Sequence, residues 1–448
     1  MRALLLLTLS TLRGRYWLIP TVMALGAIAL AFAAVSTDRL VGWAWMEEAP
    51  WLYTNGPTGA RTLLSTIAGS MMTVAGVTFS ITMVAIANTS STYGPRLISN
   101  FMQDQGNQIT LGTFIATFLF CILVLRTVQG DDGSPDAFVP HLAVAIALVF
   151  ALASLGVLIY FMHHVPESIH ISNVVASLGG GLLDRIDRIF PADAEEISTA
   201  SEEADAARGA GTPVRAGKDG YLRYVDWDGL ERQASGHDLF VALDRRPGAF
   251  VAARDTIATV HAASPPDEET LADVRNTFVV GVSPSPEQDL VFSIDRLVEV
   301  AARALSPGMN DIYTALGAID WLGAGLVRLG RRRLAHEVRR DAEGQLRVVA
   351  VRWSYEELVG AVFDQLRAYV GSDRNAAVHT MRMLARVARH TPPDERRAAL
   401  RMQARALCRF GDETLGDPDA REALAAAYDE ALEALGAPAA EGTVKATA

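Results

Sequence analysis

Four apolar stretches set the terms for this 448-residue chain: Tyr16–Val35, Leu63–Ala87, Ile109–Leu125 and Leu142–Met162. Their only ionisable side chains are tyrosines and Cys121. About 20 helical residues cross a hydrocarbon core of roughly 30 Å, and a segment in lipid must satisfy its own backbone, which makes it a helix. The stretches therefore predict four transmembrane helices, at about 16–35, 63–87, 109–125 and 142–162. Arg13 and Arg15 give the first a signal-peptide-like flank. No small-x-small site closes it and three more spans follow, so it reads as a retained anchor.

Charge divides the chain where the fourth stretch ends. Residues 1–165 hold 7 Arg against 7 Asp and Glu, while 166–448 hold 33 Lys and Arg against 44 acids and carry the whole net charge of −11. A transmembrane domain, 1–165, thus precedes an acidic soluble half. Arg2, Arg13 and Arg15 precede the first span without an acid. The loops after the first and third spans carry Glu47, Glu48, Asp131, Asp132 and Asp136, and the former also holds Trp43, Trp45, Trp51 and Tyr53. Basic residues stay inside and aromatics sit at headgroup level, so both loops are expected outside and both termini in the cytoplasm.

Several function classes drop out. The longest basic run in the soluble half is Arg331-Arg332-Arg333, too little for phosphate neutralisation along a nucleic acid. Two cysteines, Cys121 and Cys408, build neither a disulfide framework nor a thiolate cluster. His163, His164 and His170 flank Glu167, but Pro166 is expected to interrupt the helix and no second cluster faces them. No metal site is assigned. Without a G-x-S-x-G, H-E-x-x-H, P-loop or nicotinamide fingerprint, the reading is not an enzyme, with no catalytic set and no cofactor.

The soluble half reads as an α+β region. Residues 166–212 form an amphipathic helix and linker, with apolar positions from Ile169 to Ile189 and a hinge or close packing at Gly179-Gly180-Gly181. Residues 213–262 alternate, with turns at Lys218–Gly220, Asp228-Gly229 and Pro247-Gly248, which predicts a small β-barrel or sandwich module. Its Gly-Tyr strand and Pro-Gly-x-Phe-Val turn resemble biotinyl- and lipoyl-like modules, though Lys218 lacks the flanks of a modified lysine. Residues 263–436 form a mainly helical domain with a hairpin at about 336–353, and 437–448 a disordered tail. Ser285-Pro286-Glu287-Gln288 reads as a capping box opening the helix of Leu290, Ile294, Leu297 and Ala301. Ser306, Pro307, Gly308, Asn310 and Asp311 form a polar knot that ends this helix and starts the next. Gly308 is the residue expected to take positive φ.

The sharpest pattern lies in the second span. Thr62, Thr66, Gly69, Thr73, Gly76 and Ser80 are spaced 4, 3, 4, 3, 4, a 3.5-residue period on one helix face. Small residues let membrane helices approach closely, and hydroxyls can also replace part of an ion's hydration shell. A dry packing seam and a pore lining both fit. The polar end Asn88–Arg96, with its Gly94-Pro95 break, reads as an elbow leading to an interfacial Leu97, Ile98, Phe101 and Met102.

Two stretches, GVTFSITMVAIANTSSTYGPRLISNFMQDQGNQITLGTFIATFLF and EQDLVFSIDRLVEVAARALSPGMNDIYTA, are similar to a bacterial family of predicted membrane proteins, domain of unknown function 2254. The resemblance covers nearly the whole chain. It implies a four-span inner-membrane protein with a cytoplasmic domain and supplies no catalytic residue, ligand or substrate. Members carry Pro after the Asn-Asp pair where this chain has Ile312, so a changed turn with the same helix start is expected. Two functions follow as expectations: a homo-oligomeric channel with the second span at its axis, or a non-conducting anchored sensor whose cytoplasmic domain binds a partner or ligand. In both, the lipid bilayer is the first partner.

Overall fold

The structure is a computed structural model that describes residues 16–41, 56–94, 104–130, 138–191, 211–334, 337–350, 352–393 and 395–436. It divides into two units, residues 1–173 and 174–448. The expected outer-loop aromatics, the interfacial segment at 97–102, the linker to 210 and the tail from 437 lie outside the described residues.

The first unit is helical: α1 (Leu18–Val41), α2 (Pro57–Tyr93), α3 (Gln105–Leu125) and α4 (His141–Ile169). Each overruns its apolar stretch. At 1.5 Å per residue the 37 residues of α2 span about 55 Å, well beyond a bilayer core. It stops at Gly94, whose φ of 120° a side chain would resist.

Contacts between helix ends fix an up-and-down order within this unit. Both carboxylate oxygens of Asp38, near the end of α1, accept the N–H groups of Leu142 and Ala143 at 3.0 and 3.1 Å. They cap the start of α4, where free donors and the helix dipole favour an anion. Arg61, at the start of α2, donates to the Val128 carbonyl just past α3 at 3.3 Å. At the opposite ends Asp104 caps α3 through the Gly106 N–H and meets Nε2 of His164 on α4 at 2.8 Å. The core between them is apolar, from Ala27, Ala31, Leu64, Phe120, Val124 and Ala147.

Pro166 does not interrupt α4. It sits in the last turn, where its missing N–H costs one backbone bond and the helix ends three residues later. The break falls at His170, and α5 (Ile171–Ile189) then runs unbroken through the three glycines. No hinge forms there, because Gly179 lies against the Trp321 indole.

The second unit opens with two sheets. Its elements run β1 (Thr212–Arg215), β2 (Gly220–Val225), α6 (Trp227–Gly236), β3 (Phe240–Leu243), β4 (Phe250–Val251), β5 (Thr256–His261), α7 (Glu268–Arg275) and β6 (Phe278–Gly281). Next come α8 (Leu290–Ala304), α9 (Ile312–Gly330), β7 (Glu337–Arg340) and β8 (Leu346–Ala350). Four helices close the chain: α10 (Tyr355–Val370), α11 (Arg374–His390), α12 (Glu395–Thr414) and α13 (Pro418–Ala434). One sheet has the order β1-β5-β3-β8-β7 and the other β4-β2-β6. Every pairing is antiparallel except β3 with β8, where Val241 sits opposite Val348. The strand region therefore extends beyond 213–262: β6 and the 337–350 hairpin complete its sheets, and both sheets share one core with α6 and α7. Asp228-Gly229 is not a turn. Asp226 caps α6 and places both residues in its first turn.

Helix α8 starts later than its capping-box pattern suggests. Asp289 is its N-cap, accepting the Phe292 N–H at 3.1 Å. Ser285 bonds Glu287, and Gln288 turns away to clasp the backbone of Val225 in β2 at 2.8 and 2.9 Å. Burial pushes the Asp289 carboxyl up to about 6, with Asp295 adding to the rise, against the Phe292 and Val291 N–H groups and Arg185. Unfolded, the group titrates near 3.9. The folded form thus holds its proton longer, and the stability it contributes is full below about pH 4 and lost as pH rises through about 6. A shift of two units corresponds to about 3 kcal/mol. Asp289→Asn, which keeps the capping oxygen, should remove a fall of that order in urea-unfolding stability between pH 4 and 7.

Candidate functional site

The second-span seam faces away from the rest of its unit. Thr62, Thr66, Gly69, Thr73, Gly76 and Ser80 are all exposed, and a Cβ at Gly69 or Gly76 would meet nothing within 4 Å. Leu64, Ile67, Ala75, Thr78 and Thr82 are buried instead. At about 100° per residue the two sets fall on opposite sides of α2. Packing against the described residues of its own unit therefore does not explain the seam. Its hydroxyls are occupied locally: Thr62, Thr66, Thr73 and Ser80 donate to the carbonyls four residues back at 2.7–3.0 Å. Each hydroxyl oxygen keeps its lone pairs outward, so the face offers acceptors rather than donors.

The polar knot is a tight link between α8 and α9. The Ser306 carbonyl accepts the N–H groups of Met309 and Asn310, both at 3.0 Å, and the Asp311 N–H returns to Ala304 at 2.8 Å. Asp311 then caps α9, taking the Thr314 N–H at 3.2 Å and its hydroxyl at 2.6 Å. The helix starts at Ile312 as expected, but its N-terminus is filled by the chain's own carboxylate. Positive φ falls on Asn310, at 48°, and not on Gly308. Asparagine tolerates this region because its short amide bonds locally, and a Cβ at Gly308 meets open space. Gly308→Val should leave thermal unfolding nearly unchanged and Asn310→Val should cost about 1–2 kcal/mol. A larger loss from Gly308→Val would refute this division of roles.

The histidines at the end of α4 scatter. His163 pairs loosely with Glu167 at 3.6 Å on an exposed face, His164 pairs with Asp104, and His170 forms the helix break. Among the described residues no group of three or more His, Cys, Asp or Glu is placed to hold a metal ion.

One feature of the second unit escaped the sequence reading. A groove of about 860 Å³ between α9 and α11 is rimmed by Arg328, Arg331, Arg332, Arg382, Arg386 and Arg389. Its floor is apolar, from Leu183, Ala324, Val327, Met383 and Val387. Gly323 lets the two helices close, since a Cβ there would sit 2.6 Å from Met383 Cγ. The signal lay in MRMLARVARH, where Arg382, Arg386 and Arg389 recur at helical spacing.

The chain matches the family model described as predicted membrane protein (DUF2254) over residues 13–386. It belongs to that family. Uncharacterized proteins of Mycobacterium bovis (strain ATCC BAA-935 / AF2122/97) and of Mycobacterium tuberculosis (strain ATCC 25618 / H37Rv) are each 28% identical to it over 442 residues. Each alignment covers 96% of this chain and 82% of the relative. No solved structure matches.

Proposed function

We propose that this member of the DUF2254 family is a four-span protein of the bacterial inner membrane, homo-oligomeric through α2 and channel-like, with its second unit as a cytoplasmic regulator. The observation that carries this reading is the α2 seam. Its small residues form a self-complementary surface that no described part of its own unit covers. Around an oligomer axis the outward lone pairs would line a path suited to a cation rather than an anion.

The span count rests on where the apolar helices lie. Five helices among the described residues are long and apolar enough to cross a membrane. The fifth, α9, contains Asp320 and Arg328, and it buries Ala315, Ile319, Leu322, Leu326 and Leu329 inside the second unit. It reads as a core helix. The arginines ahead of α1 and the acids of the opposite loops support cytoplasmic termini. A reporter enzyme active only in the periplasm should stay silent after Ala448 and work at Gly133. Stoichiometry in detergent should give four or more subunits, and a dimer would count against an axial pore.

A dimer would leave the second reading, a non-conducting anchored sensor. The arginine groove favours it, because a cavity of that size and charge in a chain of net charge −11 suits a ligand.

A further inference from the structure

We propose that the groove between α9 and α11 binds a phosphate-bearing ligand with an apolar part, either a phospholipid or a soluble phosphate ester. The argument starts from charge. Six arginines reach the groove, and the lining acids are Asp320 and Glu430. Such a concentration of cations repels itself unless anions neutralise it. Part of that neutralisation is internal: Asp187 takes Arg328 and Arg332, both at 2.7 Å, and Glu430 stands 3.7 Å from Arg389. Asp320 is held by His379 at 2.8 Å, and Arg331 bonds His390 at 3.2 Å.

Arg382 and Arg386 are left over. They are exposed, one turn apart on α11, and have no partner among the described residues. Two guanidiniums at that spacing present planar forks of donors, the geometry that recognises phosphate oxygens in pairs. A carboxylate would neutralise one of them, whereas a phosphate dianion or a pyrophosphate neutralises both. The apolar floor of Leu183, Val327, Met383 and Val387 gives the rest of the molecule a place. Paired arginines around it hold the rim in place: Asp187 anchors Arg328 and Arg332 from α5, so ligand binding does not have to order them.

The inference holds whether or not the spans conduct, and its test is separate from subunit stoichiometry. The purified full-length protein in neutral detergent is titrated calorimetrically with inorganic pyrophosphate, and in a second arm with short-chain phosphatidylglycerol. Saturable binding of one per chain is expected, weakening as salt is raised. Binding of pyrophosphate assigns a soluble ester as the source, and binding of the lipid alone assigns a membrane headgroup. The double variant Arg382→Gln/Arg386→Gln should bind at least about tenfold more weakly with unchanged thermal unfolding, since neither side chain supports the fold. Arg405→Gln, an exposed arginine of α12 outside the groove, should bind as the parent does. Absence of binding by both probes, full binding by the double variant, or an equal loss in Arg405→Gln would each overturn the proposal.

Discussion

Single cysteines at Gly69, Thr73, Gly76 and Ser80 should react with a small charged thiol reagent, and cysteines at Leu64, Ile67 and Ala75, all buried, should not. The background is Cys121→Ala/Cys408→Ala; burial, then Asp412 and Asp429, push the Cys408 thiol up to about 11, and its removal clears what slow reaction remains. Only a hydrated thiol readily gives the thiolate that reacts, so rates should differ by about tenfold or more between wet and dry positions. The controls follow from the structure. Leu64, Ile67 and Ala75 are buried against the rest of the unit, whereas Phe79 is 44% exposed and makes no dry control. Val77 would mislead, because it is 54% exposed. A dry seam gives the opposite pattern: no position reacts, and Gly76→Leu dissociates the oligomer because close approach is lost. Reaction at the seam together with a stoichiometry of four or more would establish the axial path. Uniform slow reaction at every position would defeat both the wet and the dry seam.

The split between what the residues announced and what they concealed follows contact range. The seam of α2 was legible because a 3.5-residue period is a property of one helix, but its outward direction was not, since direction depends on where Leu64 and Thr78 find partners. Helix overruns were hidden for a related reason. The turns Pro57–Thr62 and Asn88–Tyr93 are polar and helical at once, so an apolar window stops short of them. The β region was legible up to β5 because alternation and turn residues mark each strand locally, although its pairings skip strands, β1 and β3 both pairing with β5. Strand β8 joins β3 in parallel across a hundred residues, and nothing local marks such a pairing. At the polar knot the residue types pointed to a helix break, and one glycine looked like its pivot. The left-handed residue is Asn310, the type most able to replace glycine there. In the groove Arg382, Arg386 and Arg389 sit on α11, while Arg328, Arg331 and Arg332 sit on the last turn of α9 and just past it, and only the packing of α9 on α11 through Gly323 and Met383 brings the two groups together.

Gly179 offers the largest single-residue effect on stability. In an isolated helix a glycine is about 1 kcal/mol worse than alanine, so three in a row within α5 look like an invitation to substitute. Gly180 and Gly181 accept it: a Cβ at either meets nothing within 4 Å, and Gly180→Ala or Gly181→Ala should stabilise the protein by about 0.5–1 kcal/mol. Gly179 is different. Its Cβ would enter the space of the Trp321 ring near the atoms that join it to its own backbone, and that part of the side chain has no rotamer freedom to yield. Either α5 lifts or Trp321 leaves its site on α9. Lifting α5 exposes Val174, Val175, Leu178, Leu182 and Ile186, all buried in the second unit, each worth about 1.5–3 kcal/mol when fully buried. Gly179→Ala should therefore destabilise despite its better helix propensity. Gly179→Leu should cost about 3 kcal/mol or more, a large share of a domain's total of about 5–15 kcal/mol. Thermal unfolding of the purified full-length protein reads the sign. A double-mutant cycle isolates the cause: with Trp321→Ala the leucine has room, and the pair should recover part of the loss that either change produces alone. Stabilisation by Gly179→Ala equal to that of Gly180→Ala would mean that the indole does not confine this helix.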